Sequence, residues 1–217
     1  SGKSTVVNLI PRFYDVTNGE LLIDGVNVKD VSQKELRRKI GFKTKKGLLF
    51  SGTIESNIKY GNPDMKDEQM IKAARIAQAE EFILAKEDKY KSHIAQGGNN
   101  VSGGQKQRLS IARAIAIDPE ILVFDDSFSA LDLKTDSNLR EALAKETKII
   151  IADEPTGNLD PTNTWEIMRL LEEINKRGTT VVVVTHNREI VDLMQKRVVT
   201  MQNGIIVLYL WALQLTE

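Results

Sequence analysis

Residues 121–132 read ILVFDDSFSALD and residues 149–160 read IIIADEPTGNLD, one pattern written twice at an offset of 28. In each copy an apolar run ends in two carboxylates, and a Leu-Asp pair follows. Asp125 answers Asp153, Asp126 answers Glu154, and Asp132 answers Asp160. Adjacent carboxylates at a strand end suit the chemistry of a metal-bound nucleotide. The first holds Mg²⁺, usually through water, and the second orients the attacking water. One nucleotide site needs one such pair, and this chain carries two.

A site of this kind also needs an anion cradle, and the chain opens on one: Ser1-Gly2-Lys3-Ser4-Thr5. Backbone N–H groups at a helix start can face phosphate, and Lys3 can reach the β- and γ-phosphates. The Ser4 hydroxyl can ligate Mg²⁺, and Thr5 stands where it can meet the α-phosphate. Metal candidates are therefore Ser4, Asp125 and Asp153. A second cradle lies at VSGGQKQRLSIARA, residues 101–114. Here Ser102, Gly103, Gly104 and Gln105 precede a helix whose inner face carries Leu109, Ile111, Ala112 and Ile115. Of the two histidines, His186 follows four valines at a strand end, and His93 lies in a polar run and reads as solvated.

These groups need a scaffold. The runs 121–124, 149–152 and 179–184 are continuously apolar, as in parallel strands buried on both faces. Helical patterns fill 134–146 and 162–177. The latter starts after Asp160-Pro161, an N-cap followed by proline in the first turn, and stops at Gly178. The alternation is βαβαβ, which predicts a doubly wound α/β layer. Residues 19–28 alternate around Asp24-Gly25 and predict a hairpin. Residues 64–90 are charged, Ala-rich and helical in spacing, and predict a small helical lobe. With 217 residues the chain suits one domain with a subdomain, the lobe occupying about 52–117 within an α/β core.

Composition narrows the chemistry. Lys+Arg 30 balances Asp+Glu 30, so no global field attracts nucleic acid. The basic group Arg37, Arg38, Lys39, Lys43, Lys45 and Lys46 has no interleaved aromatics for base stacking and reads as a solvated face. Cysteine is absent, which excludes disulfides, thiolate metal sites and Cys nucleophiles. No secretory leader is read, and the apolar run 205–213 is shorter than the roughly 20 residues of a membrane span, so it reads as a terminal strand or a partner-facing edge.

With these motifs in hand, the chain resembles the nucleotide-binding domain of ATP-binding cassette (ABC) transporters, with VSGGQ in place of the LSGGQ signature. Its opening SGKST matches the end of a Walker A loop, and the duplicated strands match Walker B. The resemblance has two pieces. Residues 1–148 resemble a multidrug-exporter cassette through NLIPRFYDVTNGELLIDG, LLFSGTIESNIKYGNPD and ILVFDDSFSALD. Residues 149–207 resemble the FtsE-type cell-division cassette and its macrolide-export relatives through IIIADEPTGNLDP, TTVVVVTHNREIV and KRVVTMQNGIIV. A change of template near 147–149, natural or engineered, accounts for this; a mis-assigned stretch is the alternative.

The resemblance implies a P-loop NTPase-type α/β fold, mostly parallel, with a helical subdomain and an N-terminal β-hairpin. It implies ATP and Mg²⁺ as ligands, a second nucleotide-binding domain and transmembrane subunits as partners, and a cytoplasmic position at the inner face of the plasma membrane. By position, Lys3, Ser4 and Thr5 would meet phosphates and Mg²⁺, and Asp125 the metal. Ser102, Gly103, Gly104 and Gln105 would meet the γ-phosphate of ATP held by a partner, and Asp132 would link the two cassettes. The catalytic candidates are Asp126, Glu154 and the switch histidine His186. Departures bear on turnover. Lys45 stands where the exporter pattern sets a glutamine, and it has no acceptor to offer. Asp126 is one methylene shorter than the usual glutamate. Neither carboxylate pair has a complete set of partners in sequence, which favours nucleotide binding over turnover; the alternative is a catalytically impaired or engineered cassette scaffold with weak or no ATPase activity. One further expectation follows: the strand at 149–153 can fill the gap of a strand missing ahead of residue 1, since a lost interior strand would leave two unpaired ladders.

Overall fold

The computed structural model describes residues 2–125, 147–157, 159–203 and 205–210. Ser1, Asp126, Asp132 and the helix expected at 134–146 lie outside the described residues. The centre is a parallel sheet of four strands, β3 (Ile40–Lys43), β6 (Ile121–Asp125), β7 (Ile149–Asp153) and β8 (Thr180–Val184), in the spatial order β3-β6-β7-β8. The two copies of the carboxylate strand are neighbours in exact register, Ile121 against Ile149 through Asp125 against Asp153. The second copy is thus an interior strand, paired on one side with β6 and on the other with β8.

Strand alternation sorts the core into two faces. Leu122, Phe124, Ile150 and Ala152 point into one apolar cluster. It is shared with α3 (Ile54–Ile58), α4 (Asp67–Ile76), α5 (Glu80–Leu84), α6 (Gly103–Ala116), α7 (Pro161–Lys176) and α8 (Arg188–Met194). Ile40, Ile121, Val123 and Ile151 point the other way, onto Val7 of α1 (Lys3–Leu9), Val28 and Leu36 of α2 (Gln33–Arg38). Helices therefore cover both faces, as continuous apolar strands require. Gly41 fixes one close approach: a Cβ there would lie 2.3 Å from the Ala114 carbonyl oxygen, so only glycine lets α6 pack down on β3.

The local signals explain the element ends. α7 starts where Asp160 accepts the Asn163 N–H at 3.0 Å, with Pro161 in its first turn. The expected hairpin is β1 (Leu22–Ile23) against β2 (Val26–Asn27). Its turn residues Asp24 and Gly25 both have positive φ, 51° and 77°, the two left-handed positions of a type I′ turn. Further hairpins pair β4 (Gly52–Thr53) with β5 (His93–Ile94) and β9 (Val198–Gln202) with β10 (Ile205–Leu210). His93 is exposed. In the helical lobe, Arg113 donates to the Leu48 carbonyl at 2.7 Å, the Asn57 carbonyl at 2.8 Å and Asn57 Oδ1 at 2.7 Å. Its guanidinium lies over the stacked Phe50 and Tyr60 rings, and burial lowers its pKa to about 10.

One expectation is corrected. Lys43 does not belong to a solvated basic face: it is 2% exposed, whereas Lys45 and Lys46 are exposed. It is the last residue of β3, in register with Phe124, so strand alternation sends its side chain inward with the helix-covered face. The charge pattern could not reveal this, because burial here follows the register.

At the opposite end of the sheet, Glu120 ties the chain's two sequence halves. Its carboxylate meets Lys39 Nζ at 2.8 Å and Lys148 Nζ at 2.6 Å, and its carbonyl accepts the Lys148 and Ile149 N–H groups. The Lys148 and Lys39 ammonium groups pull its pKa down to about 2. A depressed carboxylate pKa contributes stability above the ordinary 4.5, and that contribution is lost as pH falls toward 2. Glu120→Gln is therefore expected to lower Tm at neutral pH, with the gap to wild type closing between those pH values in a thermal scan series. A gap independent of pH would show that the ion triad does not stabilise the fold. The effect is modest, since the pair partners are solvent-facing.

Candidate nucleotide site at the carboxyl end of the sheet

The parallel strands all deliver their C-termini to one edge, the usual place for a ligand site in an open α/β sheet. Asp125 and Asp153 sit side by side there on adjacent strands. Both face the α1 side, because they alternate with Phe124 and Ala152. Asp153 is buried at 4% exposure, with the Ser4 hydroxyl on its side of the edge lowering its pKa. Burial, with the negative charges of Asp125 and Glu154, raises its pKa above the ordinary carboxylate value, while Ser4 and Lys3 work against the shift.

Glu154 follows directly. Its backbone is left-handed, with φ 49°, and its N–H donates to the Val184 carbonyl at 2.7 Å. That bond stitches the end of β7 to the end of β8 and turns the side chain across the sheet edge. A non-glycine residue in this conformation carries strain of about 1–3 kcal/mol, which the surrounding bonds must hold in place. Glu154 Oε1 lies 2.8 Å from His186 Nδ1 and 3.7 Å from Lys3 Nζ. Lys3 Nζ also donates to the Thr185 carbonyl at 3.1 Å. Gly2, at φ 88°, makes the left-handed turn that starts α1 and brings Lys3 and Ser4 over this edge.

The structure thus gathers Gly2, Lys3, Ser4, Asp125, Asp153, Glu154 and His186 at one edge. Thr5 is exposed, one residue further along α1. Two sets that are incomplete in sequence meet on β7, which borders both the opening cradle and the histidine loop. Ser102, Gly103, Gly104 and Gln105 stand apart on α6, which packs against α3 and α4. Ser102 and Gln105 form a reciprocal cap: the Gln105 N–H donates to Ser102 Oγ, and the Ser102 N–H donates to Gln105 Oε1. Among the described residues no hydrogen bond or ion pair joins them to the strand-edge cluster. Lys45 is exposed, and its carbonyl accepts from Gln107 of the same helix at 3.1 Å. Thr185 carries little signal in the sequence, a hydroxyl directly before a strand-end histidine.

The donor set fits a small hard cation. A desolvated carboxylate beside a serine hydroxyl offers oxygen ligands, and Mg²⁺ uses few protein ligands and keeps several waters. Among the described residues no group of three acidic or histidine side chains converges as a metal cage.

Comparison with known proteins agrees with this geometry. The sequence profile of the ABC transporter family matches residues 1–129. A protein of Staphylococcus aureus strain COL, named as a multidrug export ATP-binding/permease protein, is 49% identical over 142 residues, 65% of this chain and 25% of the relative. Its counterpart in the bovine strain RF122 is 48% identical over the same span. The chain therefore spans about a quarter of the length of these curated relatives. Among solved structures, a bacterial Atm1-family ABC exporter with ATP bound superposes over 99% of this chain and 32% of its own, at TM-score 0.65 and 26% identity. The parallel sheet, the strand-edge cluster and the profile match lead to one conclusion: this chain belongs to the ABC transporter family, as a nucleotide-binding domain.

Proposed function

We propose that this domain binds Mg-ATP at the carboxyl edge of its sheet and hydrolyses it, powering an exporter's membrane-spanning part. The observation that carries the reading is the meeting of Lys3 and Ser4, at the start of α1, with Asp153 and Glu154, at the end of β7 and just past it. Lys3 reaches the β- and γ-phosphates, and the Gly2–Thr5 backbone N–H groups face their oxygens. Ser4 and Asp153 hold Mg²⁺, with Asp125 beside them; the ion supplies charge neutralisation at the phosphates. Glu154 accepts the proton of the attacking water, and His186 keeps its carboxylate aimed across the sheet edge.

In this reading the 1–217 chain is one domain, with 52–117 as its helical subdomain. Ser102, Gly103, Gly104 and Gln105 complete the nucleotide site of a second nucleotide-binding domain. The face that includes Leu48, Phe50 and Tyr60, all exposed, meets the transmembrane subunits. The protein then works at the inner face of the plasma membrane. No helix among the described residues is long and apolar enough to cross a membrane. The second reading is binding without turnover, and it is supported by Lys45, whose exposed ammonium group lacks the acceptor a glutamine would give.

Calorimetry on the wild type and on Lys3→Ala tests the first step. Saturable Mg-ATP binding that weakens at least about tenfold in the variant is expected, since a charge-assisted bond to phosphate contributes about 1.5–3 kcal/mol. Equal binding in the two proteins would exclude Lys3 from the phosphate site.

A further inference from the structure

Thr185 lies between three of the groups just described and has no role in the reading so far. Its carbonyl accepts Lys3 Nζ at 3.1 Å. Its hydroxyl oxygen accepts the Asn187 N–H at 3.1 Å, which leaves the hydroxyl proton for Glu154 Oε2, 3.4 Å away. Glu154 therefore has one oxygen facing His186 and the other facing Thr185. Among the described residues the half-buried Thr185 side chain is the hydrogen-bond partner of that second oxygen.

We propose that Thr185 is a positioning residue for Glu154, fixing the rotation of its carboxylate about the bond that His186 leaves free. The proposal rests on the hydrolytic reading of the site. One contact, to His186 Nδ1, leaves a carboxylate able to swing about that hydrogen bond. Two contacts on different oxygens fix its plane, and with it the lone pair offered to water. The left-handed backbone of Glu154 carries strain that surrounding contacts must hold, and the Thr185 hydroxyl is one such contact on the side chain. The 3.4 Å separation is long for an O–H···O bond, as catalytic hydrogen bonds often are before substrate arrives. Thr185 does this through its side chain alone, so its contact with Lys3, made by the backbone, survives substitution.

The same separation makes the test clean. Asn187 caps α8 on its own, with Oδ1 accepting the Glu189 N–H at 3.0 Å and the Ile190 N–H at 3.4 Å, so Thr185→Val leaves that helix start in place. Steady-state ATPase, Mg-ATP affinity and Tm are compared for wild type, Thr185→Val and Thr185→Ser. The expected result is a kcat about tenfold lower in Thr185→Val with affinity unchanged, and recovery in Thr185→Ser, since misplacing a reacting group by an ångström costs about a hundredfold at most here. A kcat equal to wild type in Thr185→Val overturns the proposal while leaving the hydrolytic reading intact.

A thermal double-mutant cycle of Thr185→Val with Glu154→Gln in the nucleotide-free protein gives a readout without turnover. Tm losses that are smaller together than summed show the Thr185–Glu154 contact, and strictly additive losses overturn the proposal. If wild type binds Mg-ATP without hydrolysing it, the hydrolytic reading falls, and the cycle alone decides whether Thr185 holds the carboxylate.

Discussion

Glu154→Gln is expected to reduce ATP turnover by about a hundredfold or more while leaving Mg-ATP affinity within a factor of a few. Glutamine keeps the side chain's length and its reach to His186, 2.8 Å away in the wild type, but it cannot accept a proton from water. The left-handed backbone at this position is retained, so the change isolates the chemistry of one group. Steady-state phosphate release, paired with calorimetry, checks it. If Glu154→Gln turns over at the wild-type rate, the base lies elsewhere, and Asp126→Asn should then carry the loss. A loss shared equally by both variants would mean that both carboxylate strands serve the site.

Asp153→Asn should make the metal-free protein more stable at neutral pH and remove the Mg²⁺ dependence of ATP binding. The sign follows from the raised pKa. The folded state holds this proton more tightly than the unfolded chain does, so the stability it contributes is present below the ordinary aspartate range and lost as pH rises through the folded value. At pH 7 the ionised carboxylate is buried next to Asp125 and Glu154, with Ser4 and Lys3 as partial compensation. Asparagine removes the charge and keeps the shape, and the Ser4 hydroxyl can still donate to its carbonyl. A Tm higher by several degrees is expected, and that margin should shrink as pH is lowered. In the wild type Mg²⁺ should raise Tm in the presence of ATP; in the variant it should not. A lower Tm for Asp153→Asn at pH 7 would show that the carboxylate is already neutralised in the free protein.

Much of the fold was legible in the chain. Strands at 121–125, 149–153 and 180–184 follow from apolar runs bounded by charge, and Asp160-Pro161 and Asp24-Gly25 announce a helix start and a turn through backbone chemistry alone. The order of the strands was not legible. ILVF and IIIA have the same periodicity and the same burial on two faces, so nothing local says which of them pairs with β3 and which with β8. The gathering of Lys3 and Ser4 onto the second copy likewise depends on where α1 lands. Lys43 shows the same limit from the other side: its charge argued for solvent, and its register with Phe124 decided for burial. Thr185 was invisible because its role is relational, set by Glu154 and Lys3 from distant segments.

Two near-identical strands in adjacent slots have a consequence for how the chain finds its native state. An arrangement with β6 and β7 exchanged would bury almost the same apolar area and end in the same pair of carboxylates, so hydrophobic collapse discriminates weakly between the two threadings. The choice must come from contacts that change on exchange. Glu120 is one, since only in the observed order does it stand between Lys39 and Lys148. The Gly41 seat for α6 and the Glu154–Val184 stitch are others. Repetition of a sound strand therefore raises frustration in the folding landscape, and the burden of specificity passes from the core to a few polar contacts at its two rims.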